Sequence, residues 1–264
     1  MPHDAVVTVA LTALITIACT APASRHDVAR LPSGMAAPAR VVDLGTAVTE
    51  DLPERVWGKA LLARMGFTQR NSVDVRTWSF AAAGGGVVAG SNAYYTLFNH
   101  GGPHVDAPNH FGLAGGIDTY PIEAFSGPLK VFDATRYPIG RSVPIELFRG
   151  RVDPGDIVLA FTGFAPPGHD RELPQVRTLT RDAAEFLATR AVRAYGTDAF
   201  SVDSMADTSL PLIHQTFLSR LIPIYEQLAN LDQLLEADEM LFVGVPVNVR
   251  GGDGMLVRPV VFVY

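Results

Sequence analysis

Short apolar runs, rich in β-branched and aromatic residues, recur along the chain and predict a protein built largely from strands. Each run is bounded by glycine, proline or aspartate, as strands usually are. The predicted strands cover 87–97, 129–133, 157–162, 240–249 and 257–264. The last two flank the glycine-rich stretch 250–254, which predicts a hairpin loop between them.

Helical patterns are fewer than strand patterns. Thr180 is a typical capping residue, and apolar side chains then recur on overlapping faces, which predicts a helix over 180–195. A second helix is predicted over 211–221, because Pro211 suits a first helical turn. Many short strands and few helices favour one α/β domain over 41–264, with a mixed, largely antiparallel sheet.

The first 40 residues have a different character. An uncharged apolar run over 5–18 is too short to span a bilayer but suits the core of a signal peptide. We therefore expect residues 1–23 to be a signal peptide and the Ala-, Pro- and Ser-rich residues 24–40 to be a flexible tether. Alternatively, Cys19 is the lipidated residue of a bacterial lipoprotein.

Export would place the protein in the periplasm or outside the cell, with a lipid anchor at Cys19 as its attachment to a membrane. The segment ahead of the apolar run lacks Lys and Arg, which weakens both export interpretations. The alternatives are a buried N-terminal helix or a misplaced start codon, and the protein is then cytoplasmic.

Composition favours an ordinary globular protein and argues against several other classes. The chain has 264 residues, 48% hydrophobic and 18% charged, which is ordinary for a soluble globular protein. A net charge of −6 and the lack of a basic run argue against nucleic acid as a partner. The single cysteine excludes an intramolecular disulfide and a thiolate metal cage.

Potential metal ligands are concentrated in residues 100–110, which hold three of the chain's seven histidines. The stretch contains His100, His104, Asp106 and His110. Pro103 and Pro108 exclude a regular helix here, and in an extended chain even-numbered side chains share one face. Imidazoles and a carboxylate on one face are ligands suited to Zn²⁺ or Mn²⁺, so the stretch predicts a metal site.

Other interpretations of these features are weaker. Scattered surface histidines are the ordinary alternative, but four potential ligands of matched parity argue against it. The glycine-rich stretch 84–89 leads into a predicted strand, whereas a dinucleotide site requires the start of a helix. Ser91 does not lie in the G-x-S-x-G pattern of a serine hydrolase nucleophile.

Three segments carry a resemblance to a known family. Residues 100–110 resemble the pattern H-x-G-T-H-x-D-x-P-x-H of the cyclase family, which includes bacterial kynurenine formamidases and isatin hydrolases. Residues 196–203 are similar to its G-x-D-A-x-S-x-D segment. Residues 214–232 are similar to its H-x-x-L-L…I-x-E-N-L-x-N-L-D segment, and the order of the three is the same.

The resemblance implies one or two divalent ions, Zn²⁺ or Mn²⁺, held by five residues of this chain. They are His100, His104 and Asp106 for the first ion, with Asp106 bridging to a second ion held by His214 and Glu226. His110 matches the family's histidine for proton transfer. From the residues alone, His214 would more often be a core histidine and Glu226 an ion-paired or exposed carboxylate. We expect Asp198 and Asp203 to order turns or orient ligands.

The resemblance also implies a swivelling β/β/α-type fold and a homodimer or higher oligomer. The implied activity is hydrolysis of an amide C–N bond in a small molecule by metal-activated water, as in arylformamidases. One alternative is hydrolysis of a cyclic amide or lactone, as in isatin hydrolases, which fits export better. A third interpretation, from another class, is an exported metal- or ligand-binding protein without turnover, and the retained His110 argues against it.

Aromatic side chains are candidates for the substrate pocket, although core packing is their commoner use. They are Trp57, Trp78, Tyr94, Phe98 and Phe125. Three positions depart from the family pattern: Pro103 replaces a threonine, Gln227 an asparagine, and Arg220 a common glycine. None of these removes a predicted ligand, but Pro103 removes a hydroxyl beside the ligands.

Overall fold

Strands make up most of the regular structure, as the short apolar runs predict. The computed structural model describes residues 36–165, 175–204 and 212–264. In chain order the strands are β1 (Arg40–Asp43), β2 (Ser72–Ala81), β3 (Val87–Thr96), β4 (His104–Asp106), β5 (Ser126–Asp133), β6 (Ile157–Phe161), β7 (Ala194–Thr197), β8 (Ile224–Glu226), β9 (Met240–Val243), β10 (Gly254–Leu256) and β11 (Val260–Val263). The helices are α1 (Leu52–Trp57), α2 (Lys59–Arg64), α3 (Arg181–Thr189) and α4 (Ile213–Leu218), with 3₁₀ turns between strands.

Nine of the described strands form one mixed sheet in the order β1-β11-β9-β5-β6-β7-β8-β4-β10. The pairings from β5 through β8 are parallel, and all others are antiparallel. Parallel strands are usually covered on both faces, and β7 and β8 are accordingly buried along their whole length. The predicted α/β class with a mixed, largely antiparallel sheet is confirmed.

Two hydrophobic clusters cover the two faces of this sheet. Along β6, Ile157 and Leu159 belong to one cluster, and Val158 and Ala160 belong to the other, as the alternation of a strand requires. Helices α3 and α4 pack against the second face and contribute their apolar sides to it. Apolar side chains therefore cover both faces of the sheet centre. Buried polar side chains at the ends of its strands are exceptions to this pattern.

Both predicted helices form but are shorter than predicted. Thr180 caps α3 by accepting a hydrogen bond from Ala183 N–H at 3.2 Å, as expected. The helix ends at Thr189, because the following residues turn back to form β7 between β6 and β8. The pairing of a central strand overrides the local helical pattern there. The second helix is α4, and Pro211 lies outside the described residues.

The predicted C-terminal hairpin is half correct. Strands β9 and β11 pair antiparallel, with Met240 opposite Val263. However, β9 ends at Val243, and the residues between the two strands do not form a simple loop. They include β10, which pairs with β4 at the other end of the sheet. The stretch 250–254 is therefore not a hairpin turn.

Strands β2 and β3 form a separate two-stranded hairpin with ten paired positions. Both strands are exposed along nearly their whole length in the single chain. Two-stranded hairpins are only marginally stable alone in water, so this exposure is unusual.

The N-terminal predictions fall largely outside the described residues. Residues 1–35 include the expected signal peptide, Cys19 and most of the expected tether. Arg40, placed in the tether by the sequence pattern, begins β1 instead. In the described part of the chain, no helix is long and apolar enough to cross a membrane.

Candidate metal centre

The pairing of β4 with β8 brings together three of the predicted ligands. His104 lies directly opposite Glu226 in the antiparallel register, and Asp106 ends the same three-residue strand as His104. Alternate residues of a strand face the same side, so His104 and Asp106 point together toward one face. All three side chains are buried.

His100 lies in the turn before β4 and is held by its own backbone. Its carbonyl oxygen accepts hydrogen bonds from Trp57 Nε1 at 2.9 Å and from Gln227 Nε2 at 2.8 Å. Gln227 adopts a positive φ of 60°, which is uncommon outside glycine. Gln227, one of the departures from the family pattern, thus anchors the chain of a predicted ligand. A Cβ atom at Gly254 would lie 2.7 Å from His100 Cε1, so this close packing requires glycine.

His214 reaches the same place from α4. Its Nδ1 lies 2.7 Å from Asp203 Oδ2, and Asp203 Oδ1 also accepts the Ile213 N–H at 2.5 Å. Glu226 Oε1 accepts the Val202 N–H at 2.7 Å. The segment before α4 therefore orients both ligands, as expected for Asp203. Asp198 has the other expected role and orders a turn, because its carboxylate accepts hydrogen bonds from the backbone of the loop after β6.

The nitrogen and oxygen atoms of the five predicted ligands converge. Asp106 Oδ1 lies 3.0 Å from His100 Nδ1 and 3.2 Å from His104 Nε2. His214 Nε2 lies 3.3 Å from Asp106 Oδ2 and 3.3 Å from Glu226 Oε1. Ligand atoms about 2.0–2.1 Å from a tetrahedral zinc ion are about 3.3–3.4 Å apart, so these separations match a shared ion.

In the neutral form of His104 and of His214, a hydrogen bond on the outer side of the ring leaves the inner nitrogen without a proton. Nδ1 of His104 faces the Gly102 carbonyl oxygen at 2.8 Å, and Nδ1 of His214 faces Asp203, so both must donate. The inner nitrogens then present lone pairs to the oxygens of Asp106. Neither these nitrogens nor the Asp106 oxygens have a hydrogen-bond partner among the described residues.

Such a cluster is unfavourable unless positive charge lies within it. An unpartnered buried polar atom costs about 1–3 kcal/mol, and the convergence of several negative and lone-pair atoms adds repulsion. The raised pKa values of two imidazoles likewise indicate that the cluster favours positive charge. Burial lowers the pKa of His100, but Asp106 and Asp253 outweigh it and raise that pKa to about 9. Burial is likewise outweighed at His214, where Glu226 and Asp106 hold the pKa well above its usual value. The donor set therefore fits one or two divalent cations.

His110 lies beside this cluster on the 3₁₀ turn Pro108–Phe111. Its ring stacks on His100 with centroids 4.1 Å apart, and its side chain is 27% exposed. Burial lowers the pKa of His110 to about 4, against the opposing charge of Asp106. The imidazole is therefore neutral at pH 7 and has a nitrogen able to accept a proton.

Asp253 is a site residue that the sequence analysis did not single out. Its Oδ2 lies 3.4 Å from His100 Nε2 and 3.8 Å from His110 Nδ1. The hydrogen bond and charge of His100 hold the pKa of Asp253 well below its usual range. An aspartate between glycines is ordinary in a turn, so no local signal marked it.

The aromatic candidates separate into three groups. Phe98 packs edge-on against His100 at 6.2 Å between centroids, and Trp57 supports the same residue through its hydrogen bond. Phe125 is buried in the core, where it packs against Tyr120, and does not line an open pocket. Trp78 and Tyr94 lie on the exposed hairpin. Only Phe98 and Trp57 are thus near the predicted ligands within one chain.

A cavity of about 320 Å³ adjoins the loop that carries the ligands. Gly102, Pro103 and Gln227 line it together with apolar side chains such as Leu52 and Phe164. None of the predicted ligands lines this cavity. Pro103, the other departure close to the ligands, is one of the residues that line this cavity.

Comparison with known proteins agrees with this architecture. The family described as putative cyclase matches residues 42–204. Kynurenine formamidase from Bacillus anthracis is 31% identical over 169 residues, which cover 63% of this chain and 77% of that protein. The enzyme of the same name from Salinibacter ruber is 30% identical over 171 residues, or 62% of this chain and 76% of that protein.

Solved structures share the fold. Isatin hydrolase A from Ralstonia solanacearum superimposes with a TM-score of 0.60 at 23% identity, covering 84% of this chain and 91% of that one. The family match spans more than half of the chain and includes the ligand-bearing loop and β4. The chain therefore belongs to the putative cyclase family.

Proposed function

We propose that this protein is a metal-dependent hydrolase that cleaves an amide C–N bond in a small molecule, with an arylformamide as the first candidate substrate. The observation that carries the proposal is the convergence of unpartnered inner atoms from His100, His104, Asp106 and His214. The similarity to proteins named kynurenine formamidase supports the substrate class.

In this proposal, five residues would hold Zn²⁺ or Mn²⁺. His100, His104 and Asp106 would hold one ion, and Asp106, His214 and Glu226 would hold a second. The two oxygens of Asp106 face different histidines, which supports a role for this carboxylate toward both ions. A bound divalent ion supplies Lewis-acid polarisation of the carbonyl and acidification of a water molecule.

The protein residues supply orientation and proton transfer. The acceptors behind His104 and His214 fix each imidazole in the tautomer that offers its inner nitrogen. His110, neutral and partly open to solvent, accepts the proton of the attacking water on its unprotonated nitrogen and delivers it to the leaving nitrogen. No covalent intermediate with the protein is needed.

The second candidate substrate is a cyclic amide or lactone. The leader expected in residues 1–23 supports it, because an exported enzyme would meet environmental compounds rather than an intracellular intermediate. We also propose that residues 1–23 direct export. The alternative to simple cleavage of this leader is a lipid anchor at Cys19.

The test is hydrolysis of N-formylkynurenine and isatin by purified protein, after chelation and after addition of Zn²⁺ or Mn²⁺. Metal-dependent loss of the formyl compound supports an arylformamidase, and preference for isatin supports the second candidate. Asp106→Asn is the matched control, because asparagine keeps the shape of the side chain but lacks the negative charge proposed to bind both ions. Bound metal with no hydrolysis of either compound would favour a metal-binding protein without turnover.

We also propose that the protein is a homodimer or higher oligomer. The hairpin of β2 and β3 supports this, since one of its faces carries only uncharged side chains. On that face, Val73 pairs with Tyr95 and Val75 with Ala93, and Val75 is 57% exposed in the single chain. An exposed apolar strand pair of this kind marks a site of protein–protein contact.

A further inference from the structure

The loop that carries Asp253 is fastened to the turn that carries His110. The Asp253 carbonyl oxygen accepts the Ala107 N–H at 2.9 Å, and the Gly251 carbonyl oxygen accepts Asn109 Nδ2 at 3.0 Å. Asp118 Oδ1 in turn accepts the Gly251 N–H at 2.8 Å. The backbone bond between Ala107 and Asp253 therefore sets the position of Asp253 relative to His110, and the two side-chain bonds hold the loop at Gly251.

The Asp253 carboxylate lies at the edge of two stacked imidazoles. Asn99 Nδ2 donates to Oδ1 at 2.7 Å, which leaves Oδ2 facing the rings. Oδ2 is 3.4 Å from His100 Nε2 and 3.8 Å from His110 Nδ1. Hydrogen bonds that assist catalysis are often longer than normal before substrate binds, so the second distance is compatible with such a bond.

We propose that Asp253 is a positioning residue that accepts hydrogen bonds from His100 Nε2 and His110 Nδ1. A proton on His100 Nε2 leaves Nδ1 free to face Asp106, where the first ion would bind. A proton on His110 Nδ1 leaves Nε2 unprotonated, which is the form that accepts a proton from water. This step rests on the proposed function of His110.

Among the described residues, Asp253 has the only carboxylate within 4.0 Å of a His110 ring nitrogen. The His110 ring makes no side-chain hydrogen bond in that part of the chain, so this carboxylate is the acceptor placed to fix its tautomer. A metal ion is the competing use of the same atoms, since His100, His110 and Asp253 also lie close enough together to hold one. The two uses differ in what the removal of Asp253 does to metal content.

The experiment compares zinc-loaded wild-type protein with Asp253→Ala, Asp253→Asn and the control Asp118→Ala. Asp118→Ala loosens the same loop but leaves both histidines their carboxylate. For Asp253→Ala we expect kcat to fall about 10–100-fold, the usual range for a group that orients a ligand or base, with KM little changed. At saturating zinc the metal content should remain that of wild type, although loss of the carboxylate beside His100 should weaken zinc affinity. Formate should restore part of the rate, because the Asp253 side chain is 49% exposed and an added ion can reach its place.

A second measurement does not depend on turnover. Ring ¹⁵N chemical shifts of labelled histidines report the tautomer of His110, assigned by comparison with His110→Ala. We expect a single Nδ1–H tautomer in wild type and in Asp118→Ala, and a mixture in Asp253→Ala. An unchanged tautomer, or loss of metal at saturating zinc in proportion to activity, would overturn the proposal. If wild type hydrolyses neither substrate, the proposed function fails, whereas the tautomer still decides the position of Asp253.

Discussion

Each histidine of the candidate metal centre is fixed by a different kind of acceptor. A backbone carbonyl holds His104, the buried carboxylate of Asp203 holds His214, and the half-exposed carboxylate of Asp253 faces His100. A carboxylate partner makes the opposite nitrogen a stronger ligand than a carbonyl partner does. The three positions therefore contribute unequally to ion binding, although the residue type is the same.

From the residues alone, the sequence predicts only the part of this centre that is close in sequence, whereas His214 and Glu226 were predicted through the family resemblance. Alternation along an extended strand was enough to place His104 and Asp106 on one face. Asp253 was not predictable, because its approach to His100 depends on the pairing of β10 with β4 across some 150 residues of intervening chain. The approach of His214 depends in the same way on packing of α4, which no local pattern encodes.

His110 is the residue whose replacement separates catalysis from ion binding. For His110→Ala we expect turnover to become undetectable or to fall about 100–10,000-fold, the usual contribution of a general acid–base group. Metal content should be unchanged, because the ring lies beside the five converging ligands. Metal analysis and initial rates on the same preparation provide the check. Loss of metal instead would make His110 a ligand and remove its assigned role.

At the level of elements, the strands at the site are the shortest in the sheet. Strands β4, β8 and β10 have three residues each, too few for a periodic pattern to be recognised in a sequence. The longer strands β3, β5 and β6 were predicted as apolar runs. The ten-residue β2 was not, because Asp74 and Arg76 interrupt its apolar residues. Helix α3 was predicted too long, because a helical pattern cannot reveal that β7 is needed between β6 and β8.

The contact between β10 and the turn before β4 gives a prediction at this scale. In Gly254→Ala, the new methyl group would lie 2.7 Å from His100 Cε1 and 2.9 Å from the Val105 carbonyl oxygen. The His100 ring must move, and such overpacking typically costs about 1–3 kcal/mol of stability. We expect weaker zinc binding, measured by competition with a chelator, and a lower melting temperature.

Gly84→Ala is the matched control for that substitution, since nothing lies within 4 Å of a Cβ atom at Gly84. It should bind zinc as wild type does. Equal zinc affinity in Gly254→Ala would mean that the position of the His100 ring does not limit ion binding.

On the scale of the whole molecule, the strands of the described sheet all come from residues 40–264. Strand β1, which begins at Arg40, forms the edge of the nine-stranded sheet and pairs with β11 in full register. Deleting residues 1–23 should therefore leave a soluble protein with wild-type melting temperature and metal content. Aggregation of the shortened protein, seen by light scattering, would show that the apolar run belongs to the folded domain and is not a leader.

The hairpin of β2 and β3 is the feature that a single chain leaves unexplained. Burying a valine side chain contributes about 1.5–3 kcal/mol, whereas burying an unpaired carboxylate costs several kcal/mol. If the uncharged face meets a second copy, Val75→Glu with Tyr95→Glu should convert the oligomer to monomers in light scattering. Ile139→Glu is the control, because Ile139 is equally exposed, at 58%, but lies outside the hairpin. A wild-type protein that is already monomeric, or a double variant of unchanged mass, would contradict assembly through this face.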